Sequence, residues 1–196
     1  MPATYATATP TRALGAKRRF KLLGRRFSKS TRGTAAIEFS LVAVPFLTMV
    51  LALLETALVF YGQFTLDSGL YEAARLVRTG QAQENGFSAA AFRDEVCERT
   101  LSLIDCDDTI YVDVRAFENF DEIDVPPPLN EDGEVDDSFA YDDGAEGDII
   151  VARAFYEMSI FTPTAWGIGL GNMASGNRLL SSTATFRNEP FGSILE

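Results

Sequence analysis

The chain contains no histidine and only two cysteines among its 196 residues. Without histidine it cannot build serine–histidine–acid triads, cysteine–histidine dyads or imidazole metal sites, which serve most hydrolases. Two cysteines are also too few for a four-cysteine zinc site. Since 46% of the residues are hydrophobic, a normal share for a folded protein, the composition excludes collagen-like and wholly disordered chains. The length allows one modest domain with an accessory segment.

Acidic residues are missing from the first 33 positions, which carry nine lysines and arginines. The rest of the chain carries 8 basic and 28 acidic residues and has a net charge of −20. A basic arm followed at once by an apolar run is typical of a membrane-inserted N terminus. A nucleic-acid-binding arm would account for the basic residues alone, but the apolar run argues against it. We therefore expect no nucleic-acid partner.

Residues 39–54 form a run of 16 residues without a charge, and the apolar pattern resumes after Glu55. The run is longer than the apolar stretch of a secretory signal peptide, and no convincing cleavage site follows it. A buried core helix is the alternative, although core helices rarely have such a basic flank. The sequence therefore predicts a single membrane-spanning helix, for which we take residues 34–64.

The predicted topology follows from charge, because lysine and arginine are retained on the cytoplasmic side. It has a basic cytoplasmic arm at 1–33 and an acidic outer domain at 65–196 in a periplasm-like compartment. Glu38 and Glu55 are unusual in a span, since a carboxylate in hydrocarbon is costly and normally marks pairing or function. The alternatives are an interfacial acid near a helix N terminus for Glu38 and a residue at the outer membrane boundary for Glu55. Pro45 should kink the helix or loosen one turn.

The sequence predicts two helices for the outer domain, and the first of them is a continuation of the membrane span. The first continues from the span to Gly80, which stops it. Its apolar stripe at helical spacing consists of Leu66, Leu70, Ala73 and Val77. The second begins after the N-cap residue Ser88 and ends near Ile104. It must end there because Cys97 and Cys106, an even pair in an exported domain, are most simply a disulfide, and one unbroken helix would point them to opposite sides.

Three stretches alternate apolar and polar side chains, which is typical of strands with one buried face. They are 109–117, 149–160 and the stretch that contains Leu180, Ala184 and Phe186. The sequence therefore predicts an α+β fold in which a long N-terminal helix precedes a second helix and an antiparallel sheet of about three strands. The glycine-rich stretch 161–178 lacks the lysine or acidic partner of a nucleotide-binding loop. We expect a flexible loop whose Trp166, Ile168 and Leu170 contact the membrane or another subunit.

An acidic segment, residues 118–148, holds 13 acidic residues and no basic one. Such a composition predicts a solvated, mobile loop. A calcium site is the functional alternative, and its candidate ligands are Asp132, Asp136, Asp137, Asp142 and Asp143. Their spacing lacks the order of an EF-hand loop, so we predict no metal site.

Residues 32–39 read Arg-Gly-Thr-Ala-Ala-Ile-Glu-Phe, and this stretch resembles the processing site of type IV prepilins. In that family a membrane aspartyl peptidase cuts after a glycine, and a glutamate lies at the fifth mature position. The resemblance implies cleavage between Gly33 and Thr34, which places Glu38 fifth. Segments 73–83 and 186–191 are similar to the TadE-like proteins of the Tad (Flp) pilus system, which narrows the resemblance to that family.

The resemblance implies a structural protein, not an enzyme: a pseudopilin or minor pilin with a pilin-like periplasmic domain and no cofactor or catalytic residue. Its implied partners are the prepilin peptidase, other Tad pilus pilins and pseudopilins, and the inner membrane. Glu38 would pair with the Thr34 amine of a neighbouring subunit and fix the stagger between helices. Two alternatives stay open. One is an uncleaved, signal-anchored periplasmic binding or adhesion protein, and the other is a glycosidase-like enzyme with paired carboxylates in the acidic segment.

Overall fold

The computed structural model describes residues 33–100, 106, 109–136, 138–161 and 169–191. These residues form three α-helices, three β-strands and one 3-10 turn. In chain order they are α1 (Thr34–Arg78), α2 (Gln81–Glu84), α3 (Ala89–Arg99), β1 (Ile110–Phe117), the 3-10 turn Phe120–Glu122, β2 (Ile149–Met158) and β3 (Arg178–Arg187). The predicted α+β class, with a long apolar N-terminal helix and a three-stranded antiparallel sheet, is confirmed. The chain divides into two compact units, Met1–Met49 and Val50–Glu196.

α1 is 45 residues long, which corresponds to about 68 Å of helix. Residues 34–54 are mostly apolar, and none of their side chains is buried. The helix continues through Pro45, next to which the Thr48 hydroxyl donates to the Val44 carbonyl at 2.9 Å. α1 is thus long and apolar enough to cross a membrane.

The second part of α1 is buried along one face. Buried residues recur at spacings of three and four from Glu55 to Val77. The predicted stripe is confirmed, because Leu66, Leu70, Ala73 and Val77 are all inaccessible to solvent. Gly69 lies on the same face, and a Cβ placed on it would come within 2.7 Å of the Val96 carbonyl oxygen. A glycine at this position therefore lets α3 approach α1 closely.

Gly80 ends the long helix as predicted, since its φ of 81° is a left-handed conformation that glycine adopts without strain. Ser88 caps α3, and its Oγ atom accepts from the Ala91 amide at 3.3 Å. The expectation that this helix ends near Ile104 is wrong, because α3 ends at Arg99. Thr100 has extended backbone angles, and its hydroxyl donates to the Cys97 carbonyl at 2.8 Å, so it satisfies one carbonyl of the last turn.

The sheet has the order β1-β2-β3, and both neighbouring pairs are antiparallel. Its even-numbered apolar residues join the α1 stripe in one core, as the alternation predicts. These residues are Ile110, Val112, Val114, Ile150, Ala152, Ala154, Leu180 and Ala184. β2 is also buried on its odd-numbered face, from Ile149 to Phe155. A second layer therefore covers the sheet on the side away from the helices.

Candidate functional site

The residues of the predicted processing site lie at the beginning of α1. Gly33 precedes the helix, Thr34 is its first residue, and Glu38 follows about one turn later. All three residues are exposed. A Cβ placed on Gly33 would meet no atom within 4 Å, and the residue does not have a left-handed φ. The fold itself therefore does not require glycine at position 33.

Glu55 is buried, with only 5% of its surface exposed. Its Oε1 atom accepts a hydrogen bond from the Phe161 backbone amide, which lies shortly after β2. Glu55 is also the first residue of the buried face of α1. The sequence left its role open between pairing and a boundary position, and the structure places its carboxylate against protein backbone.

Cys97 and Cys106 form a disulfide whose Cα atoms lie 6.0 Å apart. Cys97 is in the last turn of α3, and Cys106 lies a few residues before β1. A loop of this length gives a stabilisation of about 2–3 kcal/mol on the chain-entropy account. The bond ties the helical layer to the beginning of the sheet.

A buried charge network occupies the odd-numbered face of the sheet, which the alternating pattern alone would leave to solvent. Arg153 donates to Asp113 Oδ2 from Nη2 at 2.6 Å and from Nε at 3.0 Å. Arg115 donates from Nε to Asp113 Oδ1 at 3.0 Å. Asp113 is inaccessible to solvent and Arg153 is 6% exposed. The sequence feature that could have predicted the network is the opposite charge of Asp113 and Arg153 on the same face of two predicted strands.

This network binds the acidic segment to the sheet through backbone groups. Arg153 Nη1 donates to the Pro126 carbonyl at 2.7 Å, and Asp113 Oδ1 accepts from the Ala140 amide at 2.9 Å. Arg115 Nη2 donates to the Ser138 carbonyl at 2.7 Å. None of the described residues of 118–148 is buried, as a solvated loop requires. The hydrogen bonds attach parts of this segment to the sheet, however, which the composition did not predict.

Aromatic residues of the acidic segment complete the cover. Phe139 stacks on Phe155 of β2, with ring centroids 5.4 Å apart. Tyr141 forms a parallel bridge with Val114 and packs against Phe92 of α3, with centroids 5.8 Å apart. The segment thus covers both the second face of the sheet and the outer edge of β1, which would otherwise present unpaired backbone groups.

The candidate calcium ligands do not come together. Among the described residues, which exclude Asp137, no group of three or more acidic or cysteine side chains is placed to hold a metal ion. Asp136 Oδ1 accepts from the Ser138 amide at 2.9 Å, and Asp142 Oδ1 accepts from the Gly144 amide at 3.0 Å. These carboxylates are used to stabilise local turns.

Two groups of the segment have perturbed acidities. Burial raises the pKa of the Tyr141 phenol above its ordinary value, and the nearby Asp143 carboxylate raises it further. Burial also raises the pKa of Asp143, with a smaller contribution from the charge of Asp142, while a hydrogen bond from its own backbone acts in the opposite direction. Both shifts reflect partial removal of the segment from water.

These features define an α+β protein whose N-terminal helix is long and apolar enough to cross a membrane. Residues 33–75 match the model of the TadE-like protein family. The resemblance drawn from the sequence is therefore confirmed over this part of the chain, which starts at Gly33 and includes most of α1. TadE-like proteins are structural components, and the match supports involvement in a Tad pilus system. No curated protein and no solved structure matches the chain.

Proposed function

We propose that the chain is a pseudopilin or minor pilin that takes part in assembly of a Tad (Flp) type IV pilus for surface adhesion. A prepilin peptidase would first cleave it between Gly33 and Thr34. The observation that carries this proposal is a shared boundary: the family match begins at Gly33, and α1 begins at Thr34. Cleavage there would release an intact helix with a new amino terminus at its first residue.

The surroundings of Gly33 support peptidase recognition. The fold leaves space for a side chain at this position and imposes no glycine conformation. A glycine that folding does not require is consistent with selection by an enzyme that must accommodate the backbone closely. Its exposure is consistent with access to the scissile bond.

After cleavage, the Thr34 amine would be a cation and Glu38 a carboxylate about one turn away. Placed in the membrane, each would be costly alone, and pairing between neighbouring subunits would lower that cost and set the stagger between helices. Ala35 and Ala36 are exposed small residues that permit close helix approach. Glu38 is thus the proposed assembly contact.

The proposed location is a single-pass position in the inner membrane. Residues 1–33 would be the cytoplasmic leader, 34–64 the span and 65–196 the periplasmic domain. The strongly basic composition of the leader supports this orientation. The Cys97–Cys106 disulfide supports an oxidising compartment for the domain.

The experiment is to determine the N-terminal residue and intact mass of the protein from its native membrane. We expect a species that begins at Thr34. Gly33→Val should keep the basic leader, whereas Gly24→Val, a matched change within the leader, should be processed as the unaltered chain is. A native chain that retains residues 1–33 would contradict the proposal and favour the uncleaved, signal-anchored binding or adhesion protein.

A further inference from the structure

Glu55 is the only charged residue of α1 between Glu38 and Asp67. An ionised carboxylate facing hydrocarbon would be costly. Its side chain does not face outwards, however, because it is 5% exposed and accepts the Phe161 amide hydrogen bond. The outer surface of the helix is therefore free of charge along this whole stretch.

The exposed apolar surface of α1 continues well beyond Glu55. Leu58 is 41% exposed and Phe64 is 68% exposed. The stretch 39–64 corresponds to about 39 Å of helix. That length exceeds the ~30 Å of a bilayer's hydrocarbon core and approaches the 40–45 Å that includes the headgroups. Tyr61, which is 43% exposed, would then lie near the headgroups, where tyrosine and tryptophan concentrate.

Glu55 lies nine positions before Phe64, or about 14 Å lower along the helix axis. A hydrocarbon core that begins at Phe39 would end about 20 residues later, near Leu58. Glu55 and the Phe161 backbone bound to it therefore lie within about one helical turn of the outer end of the hydrocarbon region. A backbone segment at that depth must have its polar groups satisfied, and the Glu55 carboxylate satisfies the Phe161 amide.

Phe161 has the chemistry of a lipid-facing residue. It is 82% exposed, more than any other large hydrophobic residue in the described part of the chain. No charged residue occurs in the sequence between Glu157 and Arg178. Ile160, just before it, is partly buried against the core, so the segment is attached to the domain.

We propose that residues 159–161 enter the membrane leaflet on the domain's side and that Phe161 lies at the boundary between acyl chains and headgroups. Glu55 holds the segment against α1 at that depth. We expect this surface to contact the lipid bilayer, because residues 159–161 lie at the same height as the exposed apolar residues of α1 next to Glu55. This inference rests on the membrane anchor in the proposed function, and it adds that the outer domain is embedded in the leaflet rather than held above it.

The test uses tryptophan as a depth reporter in the full chain, reconstituted into phosphatidylethanolamine and phosphatidylglycerol vesicles with brominated phosphatidylcholine. Trp166, the only tryptophan, is first replaced by phenylalanine. Single tryptophans are then introduced as Phe161→Trp, as Phe46→Trp in the span, and as Phe120→Trp, an exposed position after β1. Brominated lipid quenches tryptophans that contact acyl chains, and acrylamide quenches those that contact water.

We expect brominated lipid to quench the tryptophans at 161 and 46 and to leave the one at 120 unaffected. A tryptophan at 161 that behaves like the one at 120, while 46 is quenched, overturns the inference and leaves the anchor intact. A tryptophan at 46 that is not quenched overturns the anchor and the inference together. A tryptophan at 161 that neither reagent quenches is covered by protein, which overturns the lipid contact in favour of a second copy.

Discussion

Asp113 and Arg153 are direct cross-strand partners in the antiparallel β1–β2 pair, and Arg153 Nη2 lies 2.6 Å from Asp113 Oδ2. The alternation of apolar and polar residues along the strands predicts that this face of the sheet is exposed to solvent, yet both residues are buried. The pair also holds two backbone groups of the acidic segment, the Pro126 carbonyl and the Ala140 amide. One ion pair therefore connects the sheet to two separate parts of the acidic segment.

Asp113→Ala should destabilise the fold by about 3–5 kcal/mol, because it leaves the Arg153 guanidinium buried without its counter-ion. Urea denaturation of the full chain in detergent measures the loss. Protease cleavage within residues 118–148 should become faster, since the Ala140 amide also loses its acceptor. Asp121→Ala, at an exposed acid of the same segment, is the control and should change stability by less than about 0.5 kcal/mol. Equal effects of the two substitutions would contradict the assigned role.

The acidic segment also shows where sequence reasoning succeeds and fails. The alternation of apolar residues correctly gave β1, β2 and β3 and the face that meets α1, because these depend on local periodicity. The second layer depends on pairing between Asp113 and Arg153, which are 40 residues apart. A high content of acid predicts solvation, but a few aromatic residues such as Phe139 and Tyr141 suffice to attach the segment to the sheet.

The candidate site divides in the same way. Gly33, Thr34 and Glu38 could be proposed from the sequence because they form a short motif at the start of an apolar helix, and their roles stay predictions. The burial of Glu55 could not be predicted, since its partner Phe161 follows β2 and is 106 residues away in the sequence. The end of α3 at Arg99 was also missed, because Thr100 ends the helix through its own hydroxyl and extended backbone rather than through glycine or proline.

Gly69→Ala should destabilise the fold, although alanine favours helices more than glycine does by about 1 kcal/mol. The new methyl group would lie 2.7 Å from the Val96 carbonyl oxygen and 2.9 Å from Thr100 Cγ2. α3 would have to move, at a cost of about 1–3 kcal/mol. Thermal unfolding measures the net loss.

Gly62→Ala is the matched control for this change, because it lies on the same helix and face. Its methyl group would meet Leu180 Cδ1 at 3.1 Å, and that atom is the end of a flexible side chain. We expect little change or a small gain in melting temperature. If Gly69→Ala were as well tolerated as Gly62→Ala, the close approach of α1 and α3 would not limit stability.

Tyr141→Phe should stabilise the fold at neutral pH by up to about 1 kcal/mol. The Tyr141 hydroxyl is buried and has no hydrogen-bond partner within the described part of the chain, so its removal ends a desolvation cost. Chemical denaturation at pH 7 measures the gain. A loss of more than about 1 kcal/mol would indicate that the hydroxyl is hydrogen-bonded.

The same residue should make stability depend on alkaline pH. Burial raises the folded-state pKa of Tyr141 above the ordinary value of 10.0. Above pH 10.0 the phenol ionises more readily in the unfolded chain, which stabilises the unfolded state, so the stability of the fold decreases as the pH rises. Below pH 10.0 the phenol is neutral in both states and the stability does not depend on its ionisation. Tyr141→Phe should therefore lose less stability than the unaltered chain as the pH rises from about 10 to about 12, which pH-dependent denaturation can test.

Glu38→Gln should separate processing from assembly. The side chain is exposed and lies beyond the proposed scissile bond, so a mature chain that begins at Thr34 should still form. The neighbouring Thr34 amine would then lack its carboxylate in the membrane, where an uncompensated charge costs several kcal/mol. Recovery of the protein in sheared pilus fractions should fall by at least about tenfold, which corresponds to 1.4 kcal/mol.

Ser40→Ala is the control for the Glu38 substitution, since Ser40 is exposed nearby and its hydroxyl donates to the Ile37 carbonyl of the same helix. It should leave both processing and assembly unchanged. A Glu38→Gln chain that is cleaved and enters pili normally would show that the carboxylate is an interfacial acid rather than an assembly contact. A chain that is not cleaved would instead assign Glu38 to recognition by the peptidase, because the substitution lies outside the helix contacts that stabilise the domain.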